Sequence, residues 1–214
     1  ASGSEIAASR EKDRLAFSQR FGSDEAADKY LGRVQTMAVN TTYGYDEIVG
    51  YSKLLLNSYD PDSVLGVLMT LSDASAGLNL SSSDVEMMIA GLSRMRTTGK
   101  ANQEYLNYFS ERGIDVYTAL GNYLGVDRSQ VAGMVTAGQI TGEQAAEAIL
   151  DYIDESFGGL SERMAGTYSG MTDNLADAQA NIDAAMGEGY NEARKAGIQA
   201  QTDWLTGESG GMVR

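Results

Sequence analysis

Residues 138–159 read GQITGEQAAEAILDYIDESFGG, and they contain signals that begin, orient and end a helix. Thr141 and Gln144 have the spacing of a capping box, in which each side chain bonds the free backbone N–H of the other residue. Four residues at helical spacing then form one apolar face: Ala145, Ile149, Tyr152 and Ile153. The glycine pair at 158 and 159 is typical of a helix end. The stretch therefore predicts a helix that packs by one face against the rest of the protein.

Similar signals recur along the chain toward its N-terminus. Asp60 followed by Pro61 offers a cap and then proline at the first helical position. Ser83 with Glu86 predicts another capping box. Together with apolar periodicity, these signals predict helices over 23–39, 46–58, 61–77, from 83 onward, 102–111, 115–124 and 128–137.

The composition favours an all-α fold. The chain of 214 residues has one proline and 25 glycines, so proline interrupts few helix interiors while glycine marks many helix ends. Hydrophobic residues make up 43% of the sequence, which is ordinary for a globular protein with a core. Short helices separated by Gly113 and Gly125 indicate a compact arrangement. We therefore expect a multi-helix globular bundle followed by a long C-terminal helix.

Changes of pattern along the chain predict four parts. Residues 1–22 are charged and only loosely periodic, which fits either a frayed helix or an ordered N-terminal arm. Residues 23–157 form the helical globular module. Residues 158–206 form the long helix, and residues 207–214 form a flexible, glycine-rich tail. The missing initiating methionine and this tail suggest a piece of a longer protein.

The long helix carries an apolar seam with alternating steps of three and four: Tyr168, Met171, Leu175, Ala178, Ile182 and Ala185. Such a seam is typical of a coiled coil or a long bundle helix. It resumes out of phase after Gly187 and Gly189, where we expect a bend. Because small residues dominate the seam, this helix is predicted to pack on the globular module or on other copies of itself, which would make a homo-oligomer.

Charge and residue content exclude several function classes. The 16 basic and 30 acidic residues give a net charge of −14, which repels nucleic acid and anionic lipid surfaces. No run approaches the ~20 apolar residues of a membrane-spanning helix. The chain has no histidine and no cysteine, so it cannot build the common catalytic triads or zinc sites. We predict no specific nucleic acid binding, no membrane segment and no cofactor.

One acidic helix face is a weak candidate for a cation site. It consists of Glu143, Glu147, Asp151, Asp154 and Glu155. Carboxylates are ligands for hard cations such as Ca²⁺, but the chain has no EF-hand spacing. In an acidic protein such a face is better interpreted as a solvated surface. We therefore assign no metal-binding residues.

An ordered series of short motifs runs through most of the chain. It comprises Gly99-Lys100, Arg112-Gly113-Ile114, Leu124-Gly125-Val126, Gly138-Gln139-Ile140, Phe157-Gly158-Gly159 and Thr167-Tyr168-Ser169-Gly170-Met171-Thr172-Asp173-Asn174-Leu175. In order and approximate spacing, from about Met37 to Ala185, the series resembles the helical module of phage and prophage tail tape measure proteins. Two positions depart mildly from the family pattern: Ala119-Leu120-Gly121 and Asp173-Asn174.

The resemblance implies a non-enzymatic protein that lies in the tail tube, sets tail length during assembly and leaves the tube when DNA is ejected. The implied partners are the tail tube protein, tail assembly chaperones and tail-tip or baseplate proteins. The implied locations are the interior of the virion tail tube and, during assembly, the host cytoplasm. The net charge of −14 would keep such a protein from sticking to DNA.

Two alternatives remain open. Phage tails also carry small helical peptidoglycan-degrading modules, for which Glu104 or Glu143 would be the nominal catalytic acid. A glutamate near a helix start is usually explained by the helix dipole, so we predict no catalytic residues. The second alternative is a helical adaptor unrelated to phage.

Overall fold

The computed structural model describes residues 2–169, with side chains up to Thr167, and all of its regular structure is helical. The helices in this part of the chain are α1 Gly3–Phe21, α2 Asp24–Asn40, α3 Tyr45–Leu55, α4 Pro61–Leu78, α5 Ser82–Thr98, α6 Gln103–Ser110, α7 Val116–Leu124, α8 Arg128–Thr136, α9 Gly142–Phe157 and α10 Leu160–Ser169. The predicted all-α class is confirmed. The C-terminal helix predicted over 158–206 is represented by α10 alone, and the predicted seam beyond Ser169, the predicted bend and the predicted tail at 207–214 lie outside the described residues.

Helix α4 lies at the centre of the bundle. It is buried on all sides between Ser63 and Ser75, which is expected of a helix whose apolar and small residues run around its whole circumference. Asp60 precedes it and Pro61 occupies its first turn, as predicted. Helices α3, α9 and α10 all pack against α4.

Helix α9 is the second central element and contacts α4, α5 and α7. Its predicted capping box is confirmed, because the Thr141 side chain accepts the Gln144 N–H and the Gln144 side chain accepts the Thr141 N–H. The predicted apolar face is buried at Ile149 and Ile153, each with no exposed surface. Beyond these contacts, α1 pairs with α2, α5 with α6, and α7 with α8.

The N-terminal segment forms a regular helix. Helix α1 begins with a capping box between Ser2 and Glu5 and ends at Gly22, whose φ of 86° is left-handed. Phe17 is buried, and its ring lies 5.1 Å from that of Tyr30 on α2. Of the two structures that the sequence left open for this segment, the helical one is present. The division of the chain into separate domains stays a prediction.

Two predicted helix boundaries were wrong. The capping box of α5 forms between Ser81 and Asp84 instead of Ser83 and Glu86. The Asp84 carboxylate accepts the Ser81 N–H at 3.0 Å. Helix α3 ends at Leu55 instead of residue 58. After it the chain tightens into a turn with i to i+3 hydrogen bonds, a common way for a helix to end.

Two buried tyrosines have hydroxyl groups that are paired inside the core. The Tyr30 hydroxyl donates to Ser52 Oγ at 2.7 Å, and the Tyr43 hydroxyl lies 2.7 Å from Ser75 Oγ. Buried hydroxyl groups need such partners, because an unsatisfied polar group in a core costs stability. Burial also raises the pKa of both tyrosines above its ordinary value.

Candidate functional site

The most unusual polar arrangement in the described part of the chain joins α4 to the start of α10. Asp73 of α4 is 2% exposed, and its two carboxylate oxygens accept backbone hydrogen bonds from the turn that begins α10. Oδ2 accepts the Gly159 N–H at 3.1 Å, and Oδ1 accepts the Ser161 N–H at 3.0 Å. A helix start leaves free N–H groups and a partial positive charge, both of which suit a carboxylate. Asp73 therefore caps a helix that lies far away in the sequence.

Ser161 links the same junction to the loop between α2 and α3. Its side chain is fully buried, and its Oγ accepts the Thr42 N–H at 3.0 Å. The Thr42 hydroxyl lies 3.2 Å from the same oxygen. We call Asp73, Ser161 and Thr42 the α10 anchor. It brings three separate parts of the chain together at the first turn of α10.

The electrostatics of the anchor reflect two opposing effects on Asp73. Burial raises the pKa of its carboxyl to about 6, and the hydrogen bonds from Ser161 and Gly159 only partly offset that rise. The negative charges of Asp154 and Glu162 also contribute to this raised pKa. Removing a carboxylate from water disfavours its charged form, whereas hydrogen-bond donors favour it. The carboxylate is thus held by specific contacts in a place where its charge is costly.

The glycine pair before α10 is required by the local backbone of the turn. A Cβ atom added to Gly158 would lie 2.5 Å from the Asp154 carbonyl oxygen, and Gly159 has a left-handed φ of 81°. No other residue type fits this turn without strain. The prediction that these glycines end a helix is confirmed, because α9 ends at Phe157.

A groove of about 200 Å³ lies beside the anchor. Its lining includes Tyr43, Glu47 and Met164, and the Met164 side chain is 44% exposed. The Glu47 carboxylate accepts hydrogen bonds from the Ser82 hydroxyl at 2.6 Å and from the Gly44 N–H at 3.0 Å. Because its contacts cap α3 and join that helix to α5, this glutamate has a structural role.

The acidic face of α9 makes a hydrogen bond within the bundle and lines a small cavity. The described residues contain no group of three acidic side chains placed to hold a metal ion. Glu147 instead accepts a hydrogen bond from the Tyr123 hydroxyl at 2.5 Å. Asp151 and Glu155 line a small cavity of about 80 Å³ with Tyr123 and Tyr152. Glu155 is exposed, and Glu147, Asp151 and Asp154 are half-buried, so this face of α9 is partly solvated.

The two nominal catalytic glutamates occupy ordinary surface positions. Glu104 and Glu143 are both exposed, and each lies in the first turn of its helix. The Tyr108 hydroxyl is 3.4 Å from Glu104, and neither glutamate lines the two cavities described above. Their geometry gives no support to a peptidoglycan-degrading module.

The motif residues build the turns between helices. Five of their glycines adopt left-handed φ values of 68° to 92°: Gly99, Gly113, Gly125, Gly138 and Gly159. The apolar residues that follow are folded back into the core at Ile114 and Ile140. A left-handed glycine followed by an apolar residue is a common way to end a helix and return the chain to its own bundle. The motif series thus describes a packing pattern.

The sequence analysis did not predict the α10 anchor. Its members are a serine, a threonine and an aspartate, and the partners lie 86 or more residues apart. One local signal was present: Asp73 interrupts a long series of apolar and small residues in α4. A charged residue in such a position has to find partners in the core.

These features define an all-α packing module whose recurring motifs are structural. The model of a known family, described as tape measure protein, matches residues 8–188. The chain belongs to this family, whose members are structural components of phage tails. No curated protein and no solved structure matches the chain. Within residues 2–169, no helix combines the length and the apolar character that crossing a membrane requires.

Proposed function

We propose that this chain is a structural, non-enzymatic module of a tail tape measure protein that acts in tail assembly, contributes to tail length and leaves the tube at DNA ejection. The observation that carries the proposal is the family match over residues 8–188, which spans the bundle and continues beyond α10. The motif geometry agrees with it, because the matched residues build helix ends. The proposed location is the interior of the virion tail tube, after assembly in the host cytoplasm.

The two ends of the chain have different proposed tasks. An α-helix advances ~1.5 Å per residue, so an extended helix converts chain length linearly into tube length. The bundle of α1–α9 folds back on itself at every turn and cannot act as a ruler in this form. We assign the ruler role to the segment from α10 onward, and contacts with tail assembly chaperones, the tube protein or tail-tip proteins to the bundle.

The negative charge of the chain supports the proposal that the protein does not bind DNA. With a net charge of −14, the protein would repel a DNA molecule that shares its tube, and ejection would not have to break an adhesive contact. A filter-binding titration of the purified chain against duplex DNA at physiological salt tests this point. We expect no binding up to micromolar concentrations. Tighter binding would contradict the proposal.

The direct test of the length role is an in-frame deletion of Tyr168 to Trp204 in the phage that carries this protein, followed by electron microscopy of the tails. We expect the tails to shorten by roughly 50 to 60 Å, which is ~1.5 Å for each deleted residue. Unchanged length with failed infection would assign the segment to ejection, and absent tails would assign it to the initiation of assembly.

A matched substitution in the bundle separates length from folding. Gly133 lies on the exposed side of α8 with no atom within 4 Å of an added Cβ, so Gly133→Ala leaves the packing intact. Tails that carry this variant should keep the wild-type length. If both changes shortened the tails equally, the shortening could not be assigned to the deleted segment.

A further inference from the structure

Helix α10 buries fewer apolar side chains than the central helix α9 does. Two of the side chains described for α10 are buried, namely Ser161 and Ala165. Of these two, Ala165 is the apolar one. Helix α9, in contrast, buries Ile149, Leu150 and Ile153 completely. Because apolar burial is the main source of helix docking, α10 gains much less from this source than α9 does.

Several contacts that hold α10 lie at its first turn. Asp73 accepts the N–H groups of Gly159 and Ser161, and Thr42 contacts the Ser161 hydroxyl. Farther along the helix, Met164 is 44% exposed and Thr167 is exposed. Loss of the anchor would remove the two hydrogen bonds that Asp73 of α4 accepts from the start of α10.

The connection to the preceding helix permits such a separation. Gly158 and Gly159 alone join α9 to α10, and neither carries a side chain that packs into the core. Structural units with few buried apolar contacts open at lower free energy than the whole protein. A change in the backbone angles of these two glycines would move α10 while α9 keeps its own contacts with α4, α5 and α7.

We infer that α10 is a strap that detaches from α4 as a unit while α1–α9 stay folded, and that Asp73 holds the strap closed. The inference goes beyond the proposed function and does not depend on it, because it concerns the fold of the chain alone. When the strap opens, it moves the covalently attached chain after Ser169 away from the bundle. It also removes Met164 from the rim of the groove beside Tyr43.

Native-state hydrogen exchange on the intact chain, read by mass spectrometry, tests this inference. In the wild-type protein we expect amides of residues 160–167 to have protection factors at least about 100-fold lower than those of residues 145–153, with little dependence on low urea concentrations. The Asp73→Ala variant should lower the protection of 160–167 by a further 10- to 100-fold or so, the range expected from loss of hydrogen bonds to a charged group. The protection of 145–153 should not change.

Asp62→Ala is the matched control, since Asp62 is exposed in the first turn of the same helix α4. This variant should leave the exchange of 160–167 as it is in the wild type. Equal loss of protection in both segments of Asp73→Ala would overturn the inference, because the carboxylate would then stabilise the whole bundle. If Asp73→Ala does not fold, the exchange profile of the wild type provides the test. Amides of 160–167 that exchange only when those of 145–153 also exchange would show that α10 does not open independently, which would overturn the inference.

Discussion

Replacement of Gly142 by alanine should break the tightest contact between two helices of the bundle. Gly142 is the first residue of α9, and its N–H donates to the Gly99 carbonyl at 3.0 Å. An added Cβ would lie 1.7 Å from the Met95 carbonyl oxygen and 2.9 Å from the Lys100 nitrogen. These are backbone atoms, so no side chain can rotate away to make room. The start of α9 would have to move away from the end of α5.

The expected cost follows from two contributions. Overpacking of a well-packed core typically costs about 1–3 kcal/mol. Displacement of the α9 start also weakens the hydrogen bond to Gly99, worth about 1 kcal/mol. We therefore expect Gly142→Ala to lower the free energy of unfolding by about 2–4 kcal/mol. For a chain of this size, that corresponds to a melting temperature about 5–15 °C lower.

Urea denaturation followed by circular dichroism measures this change, and Gly133→Ala is the matched control. Gly133 is also a helical glycine, but an added Cβ there meets no atom within 4 Å. Alanine at that position should stabilise the protein by about 0.5–1 kcal/mol, because it favours the helix over the unfolded chain. A loss below about 0.5 kcal/mol in Gly142→Ala would refute the close approach of α9 to α5.

Three further predictions concern the N-terminal helix, the α5 cap and the pH dependence. Phe17→Ala should lower the unfolding free energy in urea by about 3 kcal/mol because its ring is buried, whereas Leu15→Ala, at a position 57% exposed, should change it by less than about 0.5 kcal/mol. Similar losses in both variants would contradict the docking of α1. Ser81→Ala should cost about 1 kcal/mol in thermal denaturation through loss of the cap, and Ser83→Ala much less. A larger loss of stability in Ser83→Ala would instead support the cap at Ser83 that the sequence predicted. The pKa of Asp73 is about 6 in the folded protein and near its usual 3.8 in the unfolded chain, so the folded state binds more protons between these values. Lowering the pH from about 7 to 5 should therefore stabilise the wild type relative to Asp73→Asn, and a pH-independent difference between their unfolding free energies would argue against a raised pKa.

Helices with local signals could be predicted from the sequence. The capping box of Thr141, the start at Pro61 and the buried face at Ile149 depend on residues within one or two turns of one another, and all three are present. The α5 start was missed because three consecutive serines offer the same chemistry. Only the aspartate three residues after Ser81 decides which of them forms the box.

Features that depend on distant partners could not be predicted. The first half of α1 has no apolar stripe. The helix docks through Phe17 in its second half, whose ring contacts aromatic rings of α1 itself and of α2. The α10 anchor joins residues more than 80 positions apart, and the close contact at Gly142 involves the backbone of Met95. Such pairs become visible only when the helices are packed, because each partner has an ordinary local sequence.

The central claim is that this chain contributes a tape measure segment to a phage tail, and a length series tests it most directly. The measurement is tail length by electron microscopy for the wild type, the deletion of Tyr168 to Trp204 and a tandem duplication of the same segment. The account predicts tails that are about 55 Å shorter and about 55 Å longer than wild type, a linear change of ~1.5 Å per residue. Tails of one constant length across all three variants would contradict the claim.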